Sequence, residues 1–504
     1  MSEIDTVAAA IEDAQETARK VNALHAMKKL EEHTRSAPDD ARLFMALMEH
    51  AANAGDHPRA FDYADKAARL PDKNTPAVAH RISNCMQELG RANEAVIMLE
   101  GIRKDYPGIF NQAMLTILSS SLVTAGRPDK AVHVFEEILD KDGDLGVLWT
   151  AYAGAINANA KSMSEGDIKA RIDRITRIIE ASTDEGEVAD RRLFARGEMY
   201  EAVKDYPAAL EDFLDAKERA DRRIDEDANG RIACAQAVTA FSTEKWVNAV
   251  HENCAIDSDR PVFIMGMPRS GTSLTEQILS RHDQVNAAGE NTMPFNYLFS
   301  VTGQPVGTNM PSRMAKFTAP FLKDGMSHYL DLLHRWDPTS LRVTNKTPGV
   351  FHAMGVLHGV MPGARTIVTD RDPLDSVIGV FRRYLSEGGY GYALDMGKIA
   401  NAIRAKEIYL EHWAELFGER MMRVSLEGMS ADPAPVLDEV QEFLGVPREE
   451  TAKLITPTSS DRSVRTFSSN QVREGLRDPR SEWMRAYRDL LPPYLHDRIM
   501  ANLP

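Results

Sequence analysis

Cysteine is scarce in this chain, with three in 504 residues, at Cys85, Cys234 and Cys254. They are odd in number, scattered, and without CxxC or Cys/His spacing, so neither a disulfide framework nor a zinc site is indicated, and a reducing cytoplasm is the simplest setting. Long apolar runs are missing too. No stretch reaches the about 18 residues a membrane helix needs, and the opening MSEIDTVAAAIEDAQETARK is acidic and mixed. The sequence therefore reads as having neither membrane span nor signal peptide. Positive charge is in deficit: 60 Lys and Arg against 75 Asp and Glu leave a formal net charge of −15. That argues against nucleic acid as the main partner, although a local basic surface can exist within an acidic whole. With 43% hydrophobic and 27% charged residues, a chain of this length has room for two or three cores.

What is present is concentrated in Pro261 to Glu290, PVFIMGMPRSGTSLTEQILSRHDQVNAAGE. Val262 to Met265 is short, apolar and partly β-branched, as a buried parallel strand should be, and Thr272 to Leu279 has helical spacing with hydroxyls in its first turn. Gly266 and Gly271 let backbone N–H groups crowd around an anion at the positive end of the helix dipole. Their spacing matches a nucleotide-triphosphate loop, yet the position of that loop's lysine is held by Thr272. The loop is thus not an NTP loop of the usual kind. Arg269 supplies the charge from inside the turn as a planar fork of donors suited to phosphate or sulfate, with Ser270, Gly271, Thr272 and Ser273 as the adjoining anion contacts.

Beyond this turn, apolar strands alternate with helices. Strands are expected at VFIMG, at RTIVTD (Arg365 to Asp370) and within Arg420 to Gly428. Helices are expected near Thr272 to Arg281, Arg313 to Trp336 and Asp375 to Tyr384. The pattern predicts a parallel sheet covered on both faces, with ligands at the carboxyl ends of its strands, where the PRSGTS and RDPLDS turns both emerge. His352 and His358, at i and i+6, do not share a helix face, and no metal-ligand spacing is seen.

PRSGTSL resembles the 5′-phosphosulfate loop of sulfotransferases that use 3′-phosphoadenosine 5′-phosphosulfate (PAPS), and the protein-tyrosine sulfotransferase type most of all. The resemblance covers roughly half the chain, from about Arg260 onward, in an ordered set of motifs: PRSGTS, GEN with Glu290, NKTP with Lys346, RDPLDS with Arg371, FLGVP at Phe443 to Pro447, and SSNQVR followed by EWMRAY. It implies that Glu290 is the general base, that Lys346 stabilises charge on the transferring group, and that Arg371 holds the donor's 3′-phosphate, with Arg383 and Ser468 as further donor contacts. By itself a lysine before a proline turn reads as a solvated surface residue, and Glu290 as a helix-initiating glutamate. Several positions depart from the family pattern. The serine expected eight residues after Arg371 is Gly379, with Ser376 nearly one helical turn earlier. The tyrosine of the YEDL segment is Leu426, although Glu427 survives. The basic residue before Trp483 is Glu482, with Arg477 and Arg480 nearby. The animal tyrosylprotein enzymes are secretory-pathway membrane proteins, so a cytoplasmic setting is also a departure.

The first 220 or so residues carry a different pattern. A turn signature recurs at Gly55 to Ala60, Gly90 to Ala95, Gly126 to Ala131 and Lys204 to Ala209. Successive alanines lie 35, 36 and 78 residues apart, the last interval leaving room for a divergent unit around Glu165 to Ala170. This spacing resembles tetratricopeptide repeats, slightly stretched. The alanine lets paired helices approach, and the stacked pairs form a solenoid whose concave face suits another chain.

The fold class expected is therefore α + α/β. A tetratricopeptide-like helical solenoid (1–220) and a helical linker (221–259) precede a P-loop-like, parallel-sheet sulfotransferase domain (260–504). The expected function is sulfuryl transfer from PAPS, without a metal, to an acceptor hydroxyl on a protein, a peptide or a small molecule, protein tyrosine included, with the repeats as recruiter. Two alternatives stand beside it: a nucleotide-binding repeat scaffold that has lost catalysis, supported by Gly379 and Glu482, and a P-loop small-molecule kinase, opposed by the missing lysine.

Overall fold

Helix pairing in the N-terminal region is set by one recurring corner. The computed structural model describes residues 3–20, 23–34, 40–70, 76–88, 90–224, 226–302, 310–385, 390–456, 476 and 481–504. Gly55, Gly90 and Gly126 have φ of 74°, 82° and 75°, the left-handed conformation in which glycine avoids a Cβ penalty. Each corner is closed by the same long-span bond: Asp56 N–H to the Ala51 carbonyl at 2.8 Å, Arg91 to Met86 at 2.7 Å and Arg127 to Leu122 at 2.9 Å. This is a Schellman closure. Lys204, φ 62°, adopts the same corner without glycine, with Asp205 N–H on the Tyr200 carbonyl at 2.9 Å.

The chain divides into two units, Met1–Asp205 and Tyr206–Thr458 with Asn470–Pro504. The first contains α1 (Glu3–Lys20), α2 (Ala23–Glu31), α3 (Ala41–Asn53), α4 (His57–Arg69), α5 (Pro76–Glu88), α6 (Ala92–Asp105), α7 (Gln112–Thr124), α8 (Pro128–Asp142), α9 (Trp149–Asn159), α10 (Glu165–Ala181) and α11 (Glu187–Ala202). Ala60, Ala95 and Ala131, the signature alanines, are fully buried. Neighbouring repeats are stitched at equivalent positions: Arg103 to Glu137 (2.5 Å), Arg127 to Asn93 (3.3 Å), Arg174 to Asp140 (2.7 Å) and Ser121 to Gln87 (3.3 Å) each span 34 residues. The divergent unit has a different phase. Ser164 caps α10, and Ile168, Ile172 and Ile175 are its buried residues, whereas Ala170 is exposed. A 3₁₀ turn at Ala160–Ser162 stands here in place of the glycine corner.

Helix α12 (Tyr206–Ile224), placed before the boundary by the 1–220 reading, groups with the second unit. Its Lys217, fully buried, donates to the carbonyls of Arg383 and Ala393 at 2.7 Å each. After α13 (Gly230–Phe241) and α14 (Glu244–Cys254) the sheet begins. Its strands are β1 (Pro261–Gly266), β2 (Val285–Ala287), β3 (Arg342–Lys346), β4 (Arg365–Asp370) and β5 (Met421–Ser425), in the order β2-β3-β1-β4-β5. Every pairing is parallel.

Alternate residues of the central strand serve opposite faces. Val262 and Ile264 join Ile278, Ile367, Leu437, Val440 and Leu444 in one core, while the Phe263 ring lies 6.2 Å from Tyr329 and 6.3 Å from Phe295. Two strands, β2 and β3, were not expected. The first is three residues long. The second, RVTNK, is buried throughout, its polar side chains bonding to partners outside the strand such as Glu276, the Asn291 carbonyl and Glu290, so an apolar-run criterion passes over it. The helix expected at Arg313 to Trp336 is two helices, Met310–Met314 and Ala319–Trp336, because Thr318 caps a new start one residue before Ala319-Pro320.

Candidate active site

In the sheet β1 lies between β3 and β4: the chain leaves β1 for β2 on the far side of β3, and from β3 it crosses over β1 to β4, a change of direction where open α/β sheets leave a crevice. The motifs fall at the carboxyl ends of successive strands: Arg269 after β1, Glu290 after β2, Lys346 as the last residue of β3, Arg371 directly after β4. Residues far apart in sequence thus converge because parallel strands all end on one edge.

The turn after β1 is tight and strained. Arg269 has φ 71° and Gly271 φ 100°, and a left-handed arginine costs on the order of 1–2 kcal/mol, a kind of outlier that concentrates at ligand sites. A Cβ on Gly266 would lie 2.3 Å from Ser270 Oγ and 2.4 Å from Thr369 Oγ1; one on Gly271 would meet Leu426 Cδ1 at 2.9 Å. Leu426, in the place of the family tyrosine, therefore backs the anion turn. Ser270 is locked inward, its hydroxyl donating to the Met267 carbonyl and lying 2.7 Å from Thr369 Oγ1. Thr272 opens α15 (Thr272–Leu279) and is buried, and Ser273 is half-buried. The helix start carries no side-chain cap, which suits it to an anion.

Glu290 and Lys346 form an ion pair, with the lysine 2% and the glutamate 47% exposed. Lys346 is thus not a solvated surface lysine: β3 carries it inward. Glu290 precedes the helix Met293–Thr302 by three residues, so it does not initiate that helix. Its backbone is fixed from several sides. Gly289, φ 67°, accepts from Lys346 N–H at 2.9 Å and donates to Glu276 Oε1 at 3.1 Å. The Asn291 carbonyl accepts from Asn345 Nδ2 at 2.9 Å. The turn after Lys346 folds over the end of β1, with Thr347 N–H on Ile264 O and Gly349 N–H on Gly266 O, both at 3.1 Å. A half-exposed carboxylate on a fixed backbone, paired with a buried ammonium beside an anion turn, can accept a proton while the ammonium faces developing negative charge.

Arg371 joins the anion turn directly, its Nη1 donating to the Arg269 carbonyl at 3.3 Å. Burial pulls its guanidinium below the ordinary value, against the carboxylates of Asp375, Glu427 and Asp372. A pocket of about 270 Å³ opens here, lined among others by Ser270, Arg371, Ser376, Lys406, Arg423 and Glu427. A Cβ on Gly379 would sit 3.5 Å from both Arg269 Cβ and Arg371 Nη1, so that position faces both arginines. Arg383 is half-buried past the end of the helix Pro373–Phe381 and is not among the residues lining the pocket. Ser468, with Arg477 and Arg480, lies outside the described residues.

Residues 261–450 match the sulfotransferase family model. The chain carries a sulfotransferase-family domain. It is similar to an uncharacterized protein of Aquifex aeolicus (27% identity, covering 82% of this chain and 53% of that protein). It is similar also to protein-tyrosine sulfotransferase 2 of Gallus gallus (22%, 41% and 56%) and to heparan sulfate glucosamine 3-O-sulfotransferase 6 of Homo sapiens (24%, 38% and 54%). The chain spans about half the length of each of these relatives, 53%, 56% and 54% in turn.

Several contacts of the sulfotransferase domain were not read from the sequence. Glu427 accepts from Asp372 N–H at 3.0 Å and so fixes the turn that carries Arg371. Lys406 and Arg423 bridge Asp370 and Glu407 at 2.5–2.8 Å along the pocket wall. Arg488, on the helix Glu482–Leu490, reaches Asp372 Oδ1 at 2.9 Å and buried Asp375 Oδ1 at 3.1 Å. A basic group just past the EWMRAY motif therefore stands beside the Arg371 turn, six residues after Glu482. Trp483 stacks under Arg382, 4.2 Å from ring centroid to guanidinium. Lys406, Arg423 and Arg488 belong to none of the motifs read from the sequence; tertiary packing brings them to the Arg371 turn and its pocket. His352 and His358 are both buried, and burial depresses each imidazole to about 3.

Proposed function

We propose that this protein transfers the sulfuryl group of PAPS to an acceptor hydroxyl. The observation that carries the reading is the placement of Arg269, Glu290, Lys346 and Arg371 at one edge of one parallel sheet, with Glu290 and Lys346 already paired. The donor brings an activated sulfur–oxygen bond and two phosphate groups. The strained turn at Arg269, with bare glycine at Gly266 and Gly271, fits the 5′-phosphosulfate end, and Arg371 fits the 3′-phosphate. Glu290 takes the acceptor's proton as its oxygen attacks sulfur, and Lys346 offsets charge as the bond to the nucleotide phosphate breaks. Relatives named for a tyrosine and for a glucosamine oxygen support a hydroxyl acceptor of either kind, and a tyrosine-containing protein or peptide held by the repeats is the acceptor proposed here.

A second reading, a nucleotide-binding scaffold without transfer, draws on the departures from the family pattern at Gly379 and Glu482. Titration calorimetry with 3′-phosphoadenosine 5′-phosphate, alongside transfer of labelled sulfur from PAPS to a tyrosine peptide, a heparan oligosaccharide and a simple phenol, separates the two. Binding lost in Arg269→Ala together with transfer to a hydroxyl is the expected result. Binding without transfer selects the scaffold, and unchanged affinity in Arg269→Ala removes the anion site.

A further inference from the structure

We infer that Glu276 is a positioning residue for Glu290, a buried carboxylate that ties the helix beginning at the anion turn to the turn carrying the base; this rests on reading Glu290 as the base. Glu276 lies on α15, which starts immediately after Gly271, and is only 8% exposed. One oxygen, Oε1, accepts from Gly289 N–H at 3.1 Å and from Thr344 Oγ1 at 2.9 Å. It thereby touches the residue before Glu290 and, on β3, the residue two before Lys346. Burial raises its carboxyl above the ordinary range, while the Lys346 charge and the two bonds act the other way.

A carboxylate kept in such surroundings is costly unless its bonds are worth having. Gly289 is left-handed, and its carbonyl is held by Lys346 N–H. Its N–H points the opposite way and needs an acceptor from outside the strands, which α15 supplies. With Glu276 in place, the Glu290 backbone is referenced both to β3 and to the helix whose N-terminus faces the anion. Removing it frees one side of the turn. Displacing a reacting group by about 1 Å is enough to cost about 10²-fold in rate.

The test uses the full chain with Glu276→Ala, which removes the acceptor oxygen, and Glu276→Gln, which keeps it. Hydrogen exchange at the Gly289 amide is expected to quicken at least about tenfold in the alanine variant, as for loss of a charge-assisted hydrogen bond, and to stay near that of the intact chain in the glutamine variant. With a simple phenol as acceptor, kcat for transfer from PAPS should fall about 10²-fold in Glu276→Ala while the donor KM and the affinity for 3′-phosphoadenosine 5′-phosphate stay within a few-fold. Glu276→Gln should recover most of the rate. Unchanged protection at Gly289 in the alanine variant overturns the inference, as does a rate loss of equal size in both variants. Should Glu276→Ala not fold, Thr344→Val takes its place: a lower kcat at constant donor KM supports the inference, and an unchanged kcat overturns it. If the intact chain transfers no sulfuryl group, the proposed function fails by itself, and the exchange comparison decides whether Glu276 holds the turn.

Discussion

The two units handle charge in opposite ways. In the helical repeats alanine goes inside and charge goes outside, in pairs repeated at a 34-residue interval. Such pairs are solvent-screened and individually worth little. Exceptions include Asp56, fully buried at the first glycine corner, and α11, where buried Arg192 reaches Asp144 at 2.8 Å and Asp184 at 3.0 Å. In the sheet unit buried charge is the rule at one edge: Glu276, Lys346, Asp375, Arg371 and Lys406 are all largely withdrawn from water. Repetition needs only modest, interchangeable contacts between neighbours. Buried ionisable groups are tolerated where a ligand or a partner charge balances them, which is why they gather at sites.

The largest effect that would sharpen this contrast is on chemistry. Glu290→Gln should lower transfer by roughly 10²-fold or more, the scale of a lost general base, and leave affinity for 3′-phosphoadenosine 5′-phosphate within a few-fold in calorimetry. Near-normal turnover would dissolve the special status of the sheet edge. Next comes Gly266→Ala, whose methyl would press on Ser270 and Thr369. It should destabilise the sheet unit by about 1–3 kcal/mol, read as a lower midpoint in denaturant unfolding of the full chain.

Acidification should act on the same unit through its histidines. His352 and His358 are held neutral, each depressed from 6.5 to about 3. Unfolding lets them take up protons that the folded state refuses. Their contribution to stability is therefore complete above 6.5 and is lost progressively as pH falls toward 3. Thermal melts across that range should show a falling midpoint, with a shallower slope in His358→Gln; equal slopes would mean that other groups govern the acid limb.

The smallest effects belong to the repeats. Gly90→Ala, at φ 82°, should cost on the order of 1 kcal/mol, and Arg174→Ala, at an exposed pair with Asp140, about 0.5 kcal/mol or less. Neither should alter binding of 3′-phosphoadenosine 5′-phosphate. A loss of nucleotide affinity in either would break the comparison by making the repeats part of the donor site.

Several features were legible before any coordinates because they are local. The glycine corners are written at Gly55, Gly90 and Gly126, since only a residue free of a Cβ enters that conformation without strain. The buried alanines five residues after each glycine follow from the need for close helix approach. The turn around Arg269 was legible for the same reason: strand, glycines and helix start are contiguous. Ala170 failed as a packing alanine because the buried stripe of α10 runs through Ile168, Ile172 and Ile175, and β3 was missed because a strand buried through Thr344, Asn345 and Lys346 has no apolar signature.

The sequence by itself determined the repeat corners, the strand, turn and helix around Arg269, and the residue types a sulfuryl transfer would draw on. Only the tertiary structure decided which of them meet. Parallel strands end on one edge whatever their separation along the chain, so Glu290 pairs with Lys346 across 56 residues and Arg371 bonds to Arg269 across 102. Burial likewise belongs to the packed state: it withdraws Lys346 from water and raises the carboxyl of Glu276 beside the turn that carries Glu290. A carboxylate or an ammonium acquires that character from the surface removed around it, which no local run of residues specifies.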